Sequence, residues 1–121
     1  MSDIIRLKDV TVFGFFGVSP AEREVGQKIA IDLELHADLG AACQSDSLKD
    51  TINYESVYAL VSDVAAGKKR RLLESLAEDI SYALLQNFPI SKVVVGLRKS
   101  SLPFPNNLSY VEVEITREAT I

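Results

Sequence analysis

A chain of 121 residues suits one domain, and 47% apolar residues supply one core without disulfide or metal support. Charged residues make up 25% with no long single-sign block, which excludes disorder over most of the chain. The formal net charge of −4 argues against general nucleic-acid binding, which normally rests on a basic surface. No apolar run approaches the ~18 residues of a membrane-spanning helix, so no membrane partner is expected. The first ten residues, Met1 to Val10, lack a secretory apolar stretch, and the lone Cys43 fits a reducing cytoplasm. One cysteine and one histidine, His36, also argue against an all-protein zinc site. With no repeat and no linker, residues 1–121 read as a single domain.

The predicted elements follow from hydrophobic period. Ile5 to Phe15 reads as a strand whose alternation slips near Asp9, where a bulge is expected. Gly14 and Gly17 bracket two phenylalanines and open a loop that contains Glu22. Gln27 to Leu39 is a strand, with Ile29, Ile31, Leu33 and Leu35 on one face and Lys28, Asp32, Glu34 and His36 on the other. Residues 40–52 read as a polar connection. Asn53 can cap a helix from Tyr54 carrying Val57, Leu60, Val61 and Val64, with Gly67 as its stop. A second helix from about Leu72 carries Leu73, Leu76, Ala77, Ile80 and Leu84 and ends before Pro89. Lys92 to Lys99 is a valine-rich strand, residues 100–107 a proline loop, and Leu108 to Arg117 the last strand.

The order is ββααββ, an α+β class. Its simplest packing is a four-stranded antiparallel sheet with both helices on the apolar face. Lys28, Asp32, Glu34, Glu112 and Glu114 then lie on the opposite, polar face. Two long sheet edges stay open, and pairing them with other subunits into a closed ring removes that liability.

Taken singly, the candidate residues have plain readings. Glu22 is a surface glutamate and Tyr54 a packing residue with its hydroxyl at the rim. Glu74 is a carboxylate favoured in a helix first turn; there it is also a two-oxygen acceptor for a ligand with adjacent N–H groups. Lys99 ends a strand, where lysines are usually solvated; desolvated in a pocket, it would exchange protons near neutrality. Lys68 to Arg71 reads as a solvated cationic run behind a helix C-terminus, His36 as solvated or lumen-facing, and Cys43 as a loop residue without a base.

Their joint arrangement says more. Phe13-Gly14-Phe15-Phe16-Gly17-Val18 is followed by Glu22, then Gly26-Gln27. Next come Asp50-Thr51-Ile52-Asn53-Tyr54, then Leu72-Leu73-Glu74-Ser75-Leu76-Ala77-Glu78, then Arg98-Lys99 and the proline loop. This series resembles the dihydroneopterin aldolase family of folate biosynthesis from Leu7 to Glu118. The resemblance implies the tunnelling fold, in which four ββααββ subunits close into a barrel ring and two rings commonly stack into a homo-octamer. It implies a cofactor-free, metal-free retro-aldol cleavage of 7,8-dihydroneopterin, often with epimerisation at C2′. The conjugated imine of the substrate takes up the charge left on C1′, so no Schiff-base lysine is needed.

The resemblance also implies roles. Lys99 is the general acid/base, assisted by Tyr54. Glu22 hydrogen-bonds the substrate side chain or a relay water. Glu74 and the Leu73 backbone hold the pterin edge, and Ile52 packs on the ring. The pocket is expected between subunits, with the Tyr54 segment supplied by the neighbour. Two positions depart from the family pattern: Phe16 stands where many relatives have histidine, and Asn106-Asn107 where a glycine is usual. The competing readings are a dihydroneopterin triphosphate 2′-epimerase, with Lys68 to Arg71 meeting the phosphates, and a non-catalytic ring-forming scaffold.

Overall fold

The computed structural model describes residues 3–120; Met1, Ser2 and Ile121, the ends of the expected 1–121 domain, lie outside the described residues. Four strands, β1 (Asp3–Gly14), β2 (Gln27–Ala37), β3 (Lys92–Lys99) and β4 (Val111–Glu118), form one sheet in the order β1-β2-β3-β4. Every neighbouring pair is antiparallel. Two long helices cover one face, α3 (Tyr54–Ala66) and α4 (Leu73–Asn87), and two short ones, α1 (Pro20–Val25) and α2 (Gly40–Ser45), lie in the connections. Among the described residues no helix is long and apolar enough to cross a membrane.

The core forms where the period-two face of the sheet meets the helical stripes. Ile29, Ile31, Leu33 and Leu35 of β2 are at most 2% exposed, and Val93, Val95 and Leu97 of β3 are fully buried. Against them lie Val57, Val61 and Ala65 of α3 and Leu76, Ala77, Ile80 and Leu84 of α4. Leu60 and Val64, expected on the α3 stripe, are only partly buried at its flank. Helix α3 packs on β1 and α4, and α4 packs on β3 and β4, so the two helices tile the sheet from edge to edge.

The expected bulge is present. The β1–β2 register shifts between Leu7 and Val10, and Asp9 takes a left-handed φ of 61°. The Asp9 N–H, turned out of the ladder, donates to Asp32 Oδ1 at 2.7 Å. Arg98 pairs with Asp32 and, through Nη2, with Asp9 Oδ1 at 2.6 Å. Burial works to raise the Asp32 carboxyl, but the Asp9 N–H and Arg98 outweigh it and hold it below its ordinary value. The polar face is therefore a charge-paired surface. His36 belongs to it, half-buried rather than solvated, with Nε2 3.6 Å from Glu34 Oε2.

Several boundaries differ from the sequence expectation. Strand β1 stops at Gly14, and Phe15 and Phe16 leave the sheet. Strand β2 stops at Ala37, two residues before Leu39, and β4 starts at Val111 rather than Leu108. Residues 40–52 are not plain connection: α2, which carries the exposed Cys43, and a 3₁₀ turn at Leu48–Asp50 occupy them. Both are too short to show a hydrophobic period. Gly67 follows α3 at a right-handed φ of −71°, so it is not a left-handed stop. The α3 end is instead covered by Arg70, whose Nη1 donates to the carbonyls of Val64 and Lys68 at 3.3 Å.

Ile80 is fully buried while Tyr82, on the same helix, is 66% exposed. Ile80→Ala should lower unfolding free energy by about 2–5 kcal/mol, and Tyr82→Ala by under about 0.5 kcal/mol. Urea denaturation at one fixed protein concentration measures both.

Candidate active site

The site is assembled by a turn that sequence periodicity could not resolve. After β1 the chain makes a short parallel bridge with the α3–α4 connection. Arg70 N–H donates to the Phe15 carbonyl and Gly17 N–H to the Arg70 carbonyl, each at 3.0 Å. Phe16, the departure from the family pattern, is 1% exposed and packs in the core. Its carbonyl accepts from Gln27 Nε2 at 3.0 Å. The Arg70 side chain is buried and reaches Asp79 Oδ2 of α4 at 2.8 Å. The cationic run is thus not uniformly solvated. Arg70 is a structural clasp, while Lys69 lies over the Phe15 ring, 5.8 Å from its centroid.

Beyond Gly17 the chain enters α1, which was expected to be loop. Ser19 is its N-cap, Pro20 its first residue and Glu22 the third, a capping box. Gly17 has a φ of 142°, and a Cβ there would lie 2.3 Å from the Glu22 Cβ. Only glycine leaves room for the glutamate to fold back. The result is a fixed carboxylate, 12% exposed, whose Oε2 lies 2.7 Å from Lys99 Nζ at the end of β3. Lys99 itself is 11% exposed at its side chain, so it is not the solvated lysine usual at a strand exit, and it has an anionic partner. Burial works to raise the Glu22 carboxyl. Hydrogen bonds from Lys99 and Ser19, with the Lys99 charge, outweigh it and hold the carboxyl below its ordinary value.

This pair opens on a cavity of about 420 Å³ between the α4 N-terminus, the end of β3 and the start of β4. Its walls include Leu73, Glu74, Leu102, Phe104 and Val111. Glu74 stands in the first turn of α4 and is exposed to the cavity, and Leu72 provides no side-chain cap to that helix. A largely apolar slot therefore carries an exposed carboxylate, Glu74, and a buried ammonium–carboxylate pair. Such a slot suits a flat heterocycle with N–H groups on one edge and a reacting group near the lysine. Among the described residues no group of three or more His, Cys, Asp or Glu side chains is placed to hold a metal ion.

Of the residues singled out in the sequence, Glu22, Leu73, Glu74 and Lys99 meet at this cavity. Ile52 and Tyr54 do not. Ile52 is 3% exposed, within the core and beside a separate hollow near Asp50 and Pro89, so its side chain has little surface for a ring. Tyr54 begins α3 and is 64% exposed, behind an Asn53 cap that accepts from Glu55 N–H at 3.0 Å. Ser19, Gly17 and Arg70 were missed. The signal for Ser19 was in view: Ser-Pro-Ala-Glu carries the capping-box spacing with proline at the first helical position.

The fold and this slot together suit an enzyme that acts on a small flat heterocycle. The family model described as dihydroneopterin aldolase (FolB) matches residues 5–116. A dihydroneopterin aldolase of Staphylococcus epidermidis is 37% identical over 119 residues, covering 98% of each chain. One of Bacillus subtilis is 34% identical over 117 residues, covering 96% of this chain and 98% of the relative. The crystal structure of Escherichia coli dihydroneopterin aldolase in complex with neopterin superposes with a TM-score of 0.89 at 28% identity, covering 95% of this chain and 98% of that one. The chain belongs to the dihydroneopterin aldolase family.

The Glu22–Lys99 pair has a pH signature. Because the folded Glu22 carboxyl lies below its ordinary value of 4.5, its stabilisation is present above that pH and is lost as pH falls through the folded value. Glu22→Gln should melt at lower temperature than the wild type near neutrality. The gap should narrow as pH drops below 4.5, which thermal melts across that range will read.

Proposed function

We propose that this chain cleaves 7,8-dihydroneopterin between C1′ and C2′, releasing 6-hydroxymethyl-7,8-dihydropterin and glycolaldehyde. The observation that carries the reading is the shared cavity: Glu74 on one wall, the Glu22–Lys99 pair on another, and apolar side chains between. Glu74 accepts the 2-amino and N3–H groups of the pterin, beside the Leu73 backbone. That leaves the C6 side chain directed at Lys99.

The step moves one proton and breaks one bond. The C2′ hydroxyl gives up its proton as the C1′–C2′ electron pair enters the conjugated C6=N5 imine. Glycolaldehyde leaves with C2′ as its carbonyl carbon, and C1′ then takes a proton to become the hydroxymethyl carbon. Lys99, held by Glu22, gives its proton to N5 and as the amine takes the hydroxyl proton; N5 loses its proton again as C1′ takes one, which restores the imine. Re-addition of glycolaldehyde through its other face gives the C2′ epimer by the same steps. The triphosphate epimerase and scaffold readings are not favoured, since the matched relatives are named as aldolases.

Tyr54 joins the reading through assembly, while the Ile52 side chain stays within the core of its own subunit. Both lie away from the cavity, and β1 and β4 are the outer strands of the sheet. Edge-to-edge pairing into a tetramer ring, or an octamer of two rings, would bring the Tyr54 segment of one subunit to the cavity of the next. The reducing cytoplasm suits the exposed thiol of Cys43.

Product analysis with 7,8-dihydroneopterin tests the activity; release of no glycolaldehyde would refute it. Lys99→Ala should lower turnover by roughly 10²-fold or more with the fold intact. Glu74→Ala should weaken neopterin binding by about 2–4 kcal/mol in calorimetry while changing turnover less. Light scattering should give a mass several times the 13.3 kDa of one chain, and a stable monomer at micromolar concentration would refute the assembly.

A further inference from the structure

The two oxygens of Glu22 are held by different partners. Oε2 faces Lys99 Nζ at 2.7 Å. Oε1 accepts from both the Ser19 N–H and the Ser19 hydroxyl, each at 3.2 Å. The same hydroxyl accepts from the Glu22 N–H at 3.3 Å. In an ordinary capping box the glutamate serves the helix end and faces water. Here the carboxylate is 12% exposed and its other oxygen meets a buried ammonium. The box therefore fixes which oxygen is spent on the helix and which is left for the lysine.

The surroundings make that choice rigid. Gly17, at a φ of 142°, lies under the Glu22 side chain with no space for a Cβ. Arg23 Nη1 ties the carbonyls of Gly17 and Val18 at 3.1 and 2.7 Å, which closes the turn over α1. Gly17 N–H is anchored on the Arg70 carbonyl. The groups that can act electrostatically on Glu22 are Lys99 from β3, Arg23 within α1, and Arg71 and Glu74 on the cavity wall before and at the start of α4. Both hydrogen bonds to Glu22 Oε1 come from Ser19.

We propose that Ser19 is a positioning residue for the reaction: its hydroxyl holds Glu22 so that Oε2 presents Lys99 to the substrate. This rests on the assignment of Glu22 and Lys99 under the proposed function. It extends that assignment to a residue outside the cavity lining. Removing the hydroxyl leaves Oε1 with the Ser19 N–H alone, loosens the carboxylate about its last torsion, and takes one of two donors from that oxygen. Lys99 then loses a fixed partner, and the Glu22 carboxyl titrates at higher pH.

Three substitutions separate this role from simple helix capping. Ser19→Thr keeps the hydroxyl. Ser19→Asp keeps a side-chain acceptor for the Glu22 N–H but has no side-chain donor for Oε1, which retains only the backbone N–H. Ser19→Ala has neither. The pH profile of kcat for 7,8-dihydroneopterin cleavage is measured beside thermal melting and a carbon-13 titration of the Glu22 carboxyl. Ser19→Thr should behave as wild type. Ser19→Ala and Ser19→Asp should lose about five- to twentyfold in kcat with KM little changed, since Glu74 still anchors the pterin. Their acidic limb and their Glu22 titration should both move to higher pH, while Ser19→Asp keeps the melting temperature.

If Ser19→Asp restores wild-type kcat and pH profile, Ser19 is a helix cap only and the inference is overturned. An unmoved Glu22 titration in Ser19→Ala overturns it as well, whatever the activity. If the wild type releases no glycolaldehyde, the catalytic part falls with the proposed activity. The carbon-13 titration still reads the hold of Ser19 on Glu22, which separates the two failures.

Discussion

Everything about the cavity depends on two backbone hydrogen bonds, from Arg70 N–H to the Phe15 carbonyl and from Gly17 N–H to the Arg70 carbonyl. They join the turn after β1 to the link between the long helices. They set α1 against the start of α4, and so Glu22 against Glu74. The Arg70 side chain ties the same point to Asp79 on α4 and to the Val64 carbonyl near the end of α3. One residue thus fixes a turn, a helix end and a helix flank. A buried guanidinium is tolerable there because Nη1 meets two backbone carbonyls and Nη2 a carboxylate.

The division of labour between the two faces of the sheet follows from the same economy of elements. The helix-covered face is filled with aliphatic side chains and has nothing to react with. The other face is occupied by paired charges around Asp32 and Arg98. Reactive chemistry is confined to the ends of elements, where Lys99 leaves β3 and Glu74 enters α4. At such ends the backbone stops satisfying itself, and a side chain can be both buried and available.

How much of this was legible in the sequence depends on length and on partner. The run Ile29, Ile31, Leu33, Leu35 announced β2 because strict alternation has one reading, and the stripe from Leu76 to Leu84 announced α4 for the same reason. Helix α1 carries no apolar stripe and buries no residue, so period could not find it; only the spacing of Ser19 and Glu22 could. Arg70 was indistinguishable from its neighbours in the cationic run, because what sets it apart is Asp79, nine residues later on another element. Glu22, Leu73, Glu74 and Lys99 were identified by resemblance, and the structure supplies what resemblance lacked: a contact between two of them and a cavity common to all. The burial of Ile52 could not be read from a single apolar residue beside a helix cap.

The separation of Tyr54 from Lys99 has a genetic consequence under the proposed assembly. If each pocket draws its lysine from one subunit and its tyrosine from the next, the unit of function is an interface and not a chain. A ring built at random from equal amounts of two inactive forms, one lacking the lysine and one the tyrosine, would still contain sound interfaces, roughly a quarter of the total. Two differently damaged copies of the gene would then complement one another within a single cell. Two copies damaged at Glu22 and Lys99, which share one half of the pocket, would regenerate none.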